Sequence, residues 1–365
     1  MTIMAPGPAL DERLLRLPFD QYGRYRLIRE MIDAARPLLA PRLSVLDVGG
    51  LAVTRRRETI LPAQLFLPDD DVTVLDMPAC DLPGYVRGDG RGLSFADRSF
   101  DLVVSCDALE HVPAADRPAF WGELLRVARH GVILAAPFGE PEVVAAEALL
   151  QAYIQAELGL AQPQLAEHSA YGLPQRAPTA ALLGDLRRAY RAYPAGDVHA
   201  WLAMMLAKHT RVFGDLDLHD QLDAYYNRFL AGAERRSPSY RTIWAVECDG
   251  RADWLAAIDA AIGPTLADPG AERAGWRELA TWLTQLHSMR LATAQAEQLA
   301  ELRAALAQKD AQLAALRAEL SQQAAQTRDL ERRAGWLAEQ ARASRDALAA
   351  VERGRLMRLL RRLGK

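Results

Sequence analysis

The sequence predicts an α/β domain with a doubly wound, mostly parallel sheet, followed by a long α-helical coiled coil. In the first part of the chain, short apolar runs alternate with segments of helical periodicity, as in βαβ units. The runs are nearly continuous in apolar residues, which is typical of strands covered by helices on both faces. Beyond about residue 277, heptad-spaced leucines replace this alternation.

Residues 1–265 are predicted to form the α/β domain. An amphipathic helix over Phe19–Leu39 comes first, because apolar residues recur there at spacings of three and four. The predicted strands are Leu43–Val48, Val72–Leu75, Tyr85–Arg87, Phe100–Cys106, Gly131–Ala136 and Tyr240–Cys248. The predicted helices between them are Arg55–Phe66, Arg117–Ala128, Pro141–Leu158 and Thr179–Tyr190, with a helical insertion near 198–232 made of Val198–Phe213 and Leu218–Ala231.

The rest of the chain is predicted to be a helical linker and coiled coil over 266–350, then a basic amphipathic tail over 351–365. Steps of three and four from Leu299 to Val351 meet mainly leucine and alanine, so we expect self-association through this seam. In the tail, arginines alternate with leucines. Three interpretations of such a segment stay open: it contacts the inner membrane peripherally, it binds an acidic partner, or it is a solvated helix end without a binding function.

Composition and charge narrow the classes of function. The chain has 365 residues and a formal net charge of -3, so no nucleic-acid partner is expected. Its three cysteines lie far apart without a CxxC pair or a histidine at ligand spacing, so we expect no metal site. Because no signal-like N-terminus and no apolar run of about 20 residues is found, we expect a cytoplasmic protein.

Glycine and aspartate follow the predicted strands where open α/β sheets bind ligands. Gly49 and Gly50 come directly after the first strand, where they would let the backbone approach a ligand closely. Asp76 ends the second strand, and its carboxylate is placed to accept hydrogen bonds from two ribose hydroxyls. Two simpler interpretations stay open at this point. A glycine pair is common in turns, and an aspartate after a strand often caps a helix.

The passage from Val45 to Pro113 resembles the class I S-adenosylmethionine-dependent methyltransferases, in particular the type 11 methyltransferase-like group. The motifs that carry the resemblance are Leu46-Asp47-Val48-Gly49-Gly50, Asp76, Gly88-Asp89-Gly90, the run from Leu93 to Val104, and Cys106-Asp107-Ala108-Leu109-Glu110-His111-Val112. The resemblance implies the class I fold and the cofactor S-adenosyl-L-methionine. It implies a cofactor site made of Asp47, Gly49, Gly50, Asp76, Asp89, Gly90, Asp107 and Leu109, with Asp89 at the adenine amino group.

Two positions of the first motif depart from the family pattern of an acidic residue followed by three alternate glycines. Leu51 and Val53 occupy the second and third glycine positions, where side chains would crowd the methionine part of the cofactor. An alternative function follows from this departure. The domain would then be a non-catalytic, degenerate methyltransferase that organises partners through the coiled coil.

The preferred interpretation is a methyltransferase enzyme acting on a small molecule or a glycan intermediate, with surface polysaccharide synthesis as a context suggested by resemblance alone. His111 is the first candidate for a catalytic base, because it follows the fourth strand on the cofactor side. His168 is the second, in a stretch that we expect to be a loop beside the acceptor. Tyr22, Arg24 and Tyr25 on the first helix are candidates to cap the pocket.

Overall fold

The fold is seen in a computed structural model that describes residues 12–210, 216–233, 235–263, 271–354, 358–359 and 361–362. Its contacts divide the chain into two units, Met1–Ser288 and Met289–Lys365. The first unit holds the sheet and its helices, and the second holds most of one long helix. The structure thus has the α/β domain and the C-terminal helical segment that the sequence predicts.

The strands of the first unit form a seven-stranded sheet and a separate two-stranded hairpin. The sheet strands are β1 (Ser44–Val48), β4 (Asp71–Asp76), β5 (Tyr85–Arg87), β6 (Phe100–Cys106), β7 (Ala128–Pro137), β8 (Tyr190–Asp197) and β9 (Ser239–Glu247), and the hairpin strands are β2 (Ala52–Val53) and β3 (Thr59–Ile60). The spatial order is β5-β4-β1-β6-β7-β9-β8.

The sheet is mostly parallel, as predicted. Strands β5, β4, β1, β6 and β7 run in one direction, and β9 is antiparallel to both of its neighbours, β7 and β8. Strands β1, β4 and β5 lie side by side in chain order, and β6 then pairs with the opposite edge of β1. The order therefore reverses between β1 and β6, which is where open α/β sheets form a ligand crevice.

The helices cover both faces of this sheet. They are α1 (Glu12–Leu15), α2 (Phe19–Ala35), α3 (Pro62–Phe66), α4 (Arg117–Val127), α5 (Pro141–Leu158), α6 (Pro163–Tyr171), α7 (Arg176–Asp185), α8 (Val198–Lys208), α9 (Leu216–Phe229), α10 (Asp253–Ile262) and α11 (Ala271–Arg353). Neighbouring residues of β1 show why its apolar run is continuous. Val45 packs into the core beneath α2, while Leu46 packs into the core beneath α4, and both are fully buried.

Three local predictions were wrong. The expected helix over Arg55–Phe66 is the hairpin of β2 and β3 followed by the short helix α3. The helix expected over Thr179–Tyr190 ends at Asp185, and the next segment is the edge strand β8. His168 lies in helix α6, not in a loop, since Pro163 at the first helical turn starts a helix there.

The second unit consists of most of α11, an 83-residue helix. The predicted long helix is present, and its leucines are largely exposed in a single chain, with Leu306 63% and Leu320 71% accessible. Self-association through this seam stays a prediction. The predicted tail is described only to residue 354 and at 358–359 and 361–362, so most of its apolar residues, together with Arg355 and Lys365, lie outside the described residues. No helix within the described ranges is long and apolar enough to cross a membrane.

Candidate functional site

A cavity of about 490 Å³ opens at the carboxyl ends of β1, β4, β5 and β6. This volume falls within the range of about 300–1,000 Å³ that is typical of small-molecule sites. Of the residues that the sequence predicts for the site, the cavity is lined by Gly49, Asp76, Asp89, Gly90, Asp107 and His111. The strand-end residues singled out in the sequence therefore meet at one place.

The loop after β1 depends on its two glycines. Gly49 has a φ of +81°, and a Cβ there would lie 2.6 Å from the Cβ of Ala108. A Cβ on Gly50 would lie 2.0 Å from Oδ2 of Asp47. Both positions exclude a side chain. The backbone of Gly49 forms this wall of the crevice, whereas Gly50 packs against Asp47 and is not part of the cavity lining, contrary to the prediction.

Asp47 lies beneath this loop and does not line the cavity. Its carboxylate is fully buried, and Oδ2 accepts a 2.7 Å hydrogen bond from the hydroxyl of Tyr25 on α2. Burial raises the pKa of Asp47 to about 7, although the Tyr25 hydrogen bond and the nearby Arg24 act in the opposite direction. Oδ1 has no hydrogen-bond partner among the described residues. The structure thus gives Asp47 a supporting position under the loop.

Asp76 reaches the cavity with a carboxylate that is partly exposed. Its Oδ2 accepts a hydrogen bond of 3.1 Å from the backbone of Leu51, and Oδ1 accepts one of 2.7 Å from the backbone of Met77. A carboxylate can accept about four hydrogen bonds, so two further donors can be accommodated. The hydroxyls of a ribose fit this remaining capacity.

Asp89 and Gly90 form the wall at the end of β5. Both carboxylate oxygens of Asp89 accept hydrogen bonds from the guanidinium of Arg91, and this contact lowers the pKa of Asp89. A Cβ on Gly90 would lie 2.4 Å from Cε2 of Phe120. The Phe120 ring therefore approaches the backbone closely, and this end of the cavity has an apolar face beside the ion pair of Asp89 and Arg91.

The two positions that depart from the family glycine pattern have different outcomes. Leu51 lines the cavity, so its side chain occupies space on the ligand side. Val53 lies in the short β2 strand, is 61% exposed, and is not part of the cavity lining. The hairpin carries the chain away from the crevice at this point, so that of the two residues only Leu51 lines the cavity.

Asp107 is held by two arginines that approach from distant parts of the chain. Arg24 of α2 donates to Oδ2, and Arg241 of β9 donates to both oxygens, at 2.6 Å to Oδ1 and 2.5 Å to Oδ2. Burial alone would raise the pKa of Asp107, but the two guanidinium groups outweigh it and hold that pKa well below its usual range. Asp107 also has a φ of +51°, which a short polar residue tolerates.

Leu109 is 1% exposed and packs in the core beside α4, where it lines a separate cavity of about 240 Å³ near α7. It is not part of the strand-end cavity lining.

The two candidate histidines face each other, with ring centroids 4.9 Å apart. Nδ1 of His111 lies 2.7 Å from Oε2 of Glu167, and Nδ1 of His168 lies 2.9 Å from Oε1 of Glu147. His111 lines the strand-end cavity, whereas His168 lines a second cavity of about 760 Å³ between α5 and α6. The pair therefore lies where the two cavities approach each other.

Sequence reasoning missed three residues of this region. Glu110 is 1% exposed, and burial raises the pKa of its carboxyl well above the usual value. Glu147 and Arg241 contact His168 and Asp107 from α5 and β9. Glu110 lies in a motif of the family resemblance, but its burial cannot be read from the sequence. No local pattern marks Glu147 and Arg241, because each acts through a contact with a distant part of the chain. Of the suggested capping residues, Arg24 and Tyr25 do contact site carboxylates, whereas Tyr22 is buried in the core.

Comparison with known proteins identifies one matching family. Residues 65–136 match the family model described as a methyltransferase domain. Curated relatives from Mycobacterium sp. strains KMS and MCS, both named uncharacterized methyltransferase, are 34% identical over 112 residues, covering 29% of this chain and 42% of each relative. The chain thus spans less than half the length of these relatives. Among solved structures, the YcgJ protein of Bacillus subtilis is 13% identical, with a TM-score of 0.37, over 61% of this chain and 97% of its own.

Proposed function

We propose that this chain, which carries a class I methyltransferase domain, transfers a methyl group from S-adenosyl-L-methionine to a small molecule or a glycan intermediate. The observation that carries the proposal is the cavity at the β1 to β6 edge, into which Asp76 and the glycine loop converge. The family match covers β4 to β7 and therefore includes most of this edge. Activity on any acceptor goes beyond that match and rests on the chemistry of the site.

The residues of the cavity fit this cofactor by chemical type. Asp76 has acceptor capacity for two ribose hydroxyls, and the backbone at Gly49 can approach the ligand without a side chain in between. Phe120 and Asp89 offer an apolar face and an acidic edge to a purine and its amino group. When bound, the cofactor would supply a methyl group activated on a sulfonium.

The chain's own contribution to the reaction is mainly orientation. Methyl transfer needs the acceptor atom in line with the methyl group, and holding two reactants in this geometry supplies a large part of a rate enhancement. Hydrogen bonds from Arg24 and Arg241 fix Asp107 on the side of the cavity where the acceptor would bind. The backbone at Asp107 therefore cannot shift easily. His111 lines the same side and is placed to activate a hydroxyl acceptor.

Calorimetric titration of the full chain with S-adenosylhomocysteine and S-adenosylmethionine tests the proposal. We expect one site per chain with a dissociation constant in the micromolar range. Absence of binding at high micromolar ligand would contradict the enzyme function. A screen of sugars and other metabolites for incorporation of labelled methyl would then identify the acceptor.

A second candidate function is a non-catalytic scaffold. The specific observation in its favour is that Leu51 lines the cavity at a position where the family has glycine. In that case the domain would bind neither S-adenosylmethionine nor S-adenosylhomocysteine, and the long helix α11 would be the functional part. The same titration separates the two functions.

We further propose that the partner of α11 is a second copy of this chain. Its leucines at heptad spacing are exposed in one chain, and a matching seam on another copy would bury them. Peripheral attachment to the inner membrane through the basic tail, from a cytoplasmic location, is the accompanying proposal. Co-sedimentation with anionic vesicles, with and without residues 351–365, tests it.

A further inference from the structure

We propose that Glu110, His111 and His168 bind one divalent transition-metal cation, which in turn holds the oxygen of the methyl acceptor. The part about the acceptor rests on the proposed function, whereas the cation site stands on its own geometry. One potential ligand atom from each of the three residues lies within 4.8 Å of the other two. His111 and His168 are the two candidate bases predicted from the sequence, but no metal was expected there and Glu110 had no predicted role.

The hydrogen bonds of the two imidazoles determine which ring nitrogens are free. A carboxylate lies at Nδ1 of each ring, Glu167 for His111 and Glu147 for His168. In the neutral imidazole, an Nδ1–H that donates to the carboxylate leaves on Nε2 the lone pair that a cation would take. Carboxylates at the far nitrogen are the usual way in which proteins orient imidazoles that ligate a metal. Oε1 of Glu147 is itself held by the hydroxyl of Tyr240 at 2.8 Å.

Two of the three residues each have a buried polar atom without a partner. Glu110 is 1% exposed and His168 is 6% exposed. Oε2 of Glu110 and Nε2 of His168 make no hydrogen bond to any residue that the structure describes. Burying polar atoms in this way costs free energy unless something satisfies them. A cation between them would satisfy both atoms and would neutralise the Glu110 carboxylate.

The ligand set selects the kind of cation. Two imidazoles and one carboxylate favour zinc, iron, cobalt or manganese over magnesium and calcium, which prefer oxygen ligands alone. Bonds of about 2.0–2.2 Å would place the ligand atoms at most about 4.4 Å apart. The observed spacing of up to 4.8 Å would close by a small rotation of the side chains.

Three protein ligands leave coordination positions for the acceptor. Because His111 lines the strand-end cavity, those positions are reachable from the side where the methyl group would arrive. The acceptor class that fits is a molecule with a hydroxyl next to a second oxygen, such as the vicinal diol of a sugar. Coordination lowers the pKa of the hydroxyl, which releases its proton to water. The oxygen lone pair then forms the bond to the methyl carbon, and the electrons of the broken carbon–sulfur bond neutralise the sulfonium, giving a methyl ether and a thioether.

The test titrates the full chain, freed of metal by a chelator, with Co²⁺ alone. Visible absorption and calorimetry are recorded in parallel. We expect one Co²⁺ per chain and absorption bands of nitrogen and oxygen ligation. Glu110→Gln keeps the shape of the side chain and should weaken Co²⁺ binding at least 100-fold. His168→Ala should do the same, and Glu147→Gln should weaken it by about 10- to 100-fold.

The matched control is His130→Ala, because His130 also pairs with a carboxylate, Asp249, but lies at the other end of β7. It should leave Co²⁺ binding unchanged. Wild-type protein that binds no Co²⁺, or variants that bind it as well as wild type, would overturn the cation site. S-adenosylhomocysteine is titrated into the same samples, since its binding does not need the cation. If S-adenosylhomocysteine binds and Co²⁺ does not, only the cation site is contradicted. If Co²⁺ binds and S-adenosylhomocysteine does not, only the proposed function is contradicted.

Discussion

The hydroxyl of Tyr25 donates a 2.7 Å hydrogen bond to Oδ2 of Asp47, and both side chains are buried beneath the loop after β1. This contact fastens α2 to the first strand at the base of the cavity. Burial nevertheless dominates the electrostatics of the pair and raises the pKa of Asp47 to about 7. The folded protein therefore holds a proton on Asp47 more tightly than the unfolded chain does.

The first prediction concerns the pH dependence of stability. Between about pH 4 and pH 7 the folded state binds more protons at Asp47 than the unfolded state, so the contribution of Asp47 to the free energy of unfolding falls as pH rises. Relative to that of Asp47→Asn, the free energy of unfolding of the wild type should fall by at most about 4 kcal/mol across this pH range. Urea unfolding of both proteins from pH 4 to pH 8 measures the difference. A difference that is constant with pH would contradict the burial argument.

The second prediction concerns the loop glycine above Asp47. Gly50→Ala would place a Cβ 2.0 Å from Oδ2 of Asp47, so it should lower stability by about 1–3 kcal/mol and weaken S-adenosylhomocysteine binding at least tenfold. Gly122→Ala is the control, since Gly122 lies on the exposed face of α4 with nothing within 4 Å of the added Cβ. It should raise stability by up to about 1 kcal/mol and leave binding unchanged. Thermal melting with calorimetry measures both effects, and equal behaviour of the two variants would refute the close-packing argument.

Much of the fold could be predicted because each element carries a local signal. Helix α5 has the predicted bounds, Pro141–Leu158, since a proline opens it and Gly159, with a φ of +69°, ends it. Strand β8 was missed because it contains Pro194 and Gly196, which weaken the strand pattern. Those residues are tolerated because β8 is at the edge of the sheet.

The site was predictable only where its residues follow strands. Asp76 ends β4 and Asp89 comes shortly after β5, and both line the cavity. The contact of Arg241 with Asp107 and that of His168 with His111 join segments far apart in the chain, and a single sequence has no local signal for such pairs. Glu110 stands beside His111 in a quoted motif, but the sequence does not show that its carboxyl group is buried.

The third prediction concerns the ribose contact. Asp76→Ala should weaken S-adenosylhomocysteine binding by roughly 1.5–3 kcal/mol, the range for hydrogen bonds to a charged group. Asp76→Asn keeps the shape of the side chain and separates the loss of charge from loosening of the loop at Leu51. Asp81→Ala is the control, because Asp81 is exposed and outside the cavity lining. Equal affinities of wild type and Asp76→Ala by calorimetry would remove Asp76 from the cofactor site.

The fourth prediction compares a buried and an exposed ion pair. Asp107→Ala would leave the guanidinium groups of Arg24 and Arg241, whose side chains are only 12% and 6% exposed, with Asp20 as their remaining carboxylate, at 3.6 Å and 3.9 Å, and should cost about 3–5 kcal/mol of stability. Asp97→Ala removes a carboxylate that is 74% exposed from Arg126 and should cost less than about 1 kcal/mol. Urea unfolding at neutral pH measures both costs. Similar small losses in the two variants would show that the arginines find other partners.

The fifth prediction concerns the exposed seam of α11. Leu313 and Leu320 are 50% and 71% accessible in a single chain, and parallel pairing of two or three chains would bury them. We therefore expect light scattering to give the mass of a dimer or trimer for the full chain. The double variant Leu313→Lys and Leu320→Lys should be monomeric, because two charges would enter each seam while helix propensity changes little.

The control for the seam is Ala314→Lys with Ser321→Lys, which adds the same charges one residue further along, on a different face of the helix. It should keep the mass of the wild type, and far-ultraviolet circular dichroism should show equal helix content in all three proteins. A monomeric wild type would refute self-association outright. Loss of association in both variants would show that added charge, rather than the position of the leucines, controls the assembly, and the heptad seam would then not be the interface.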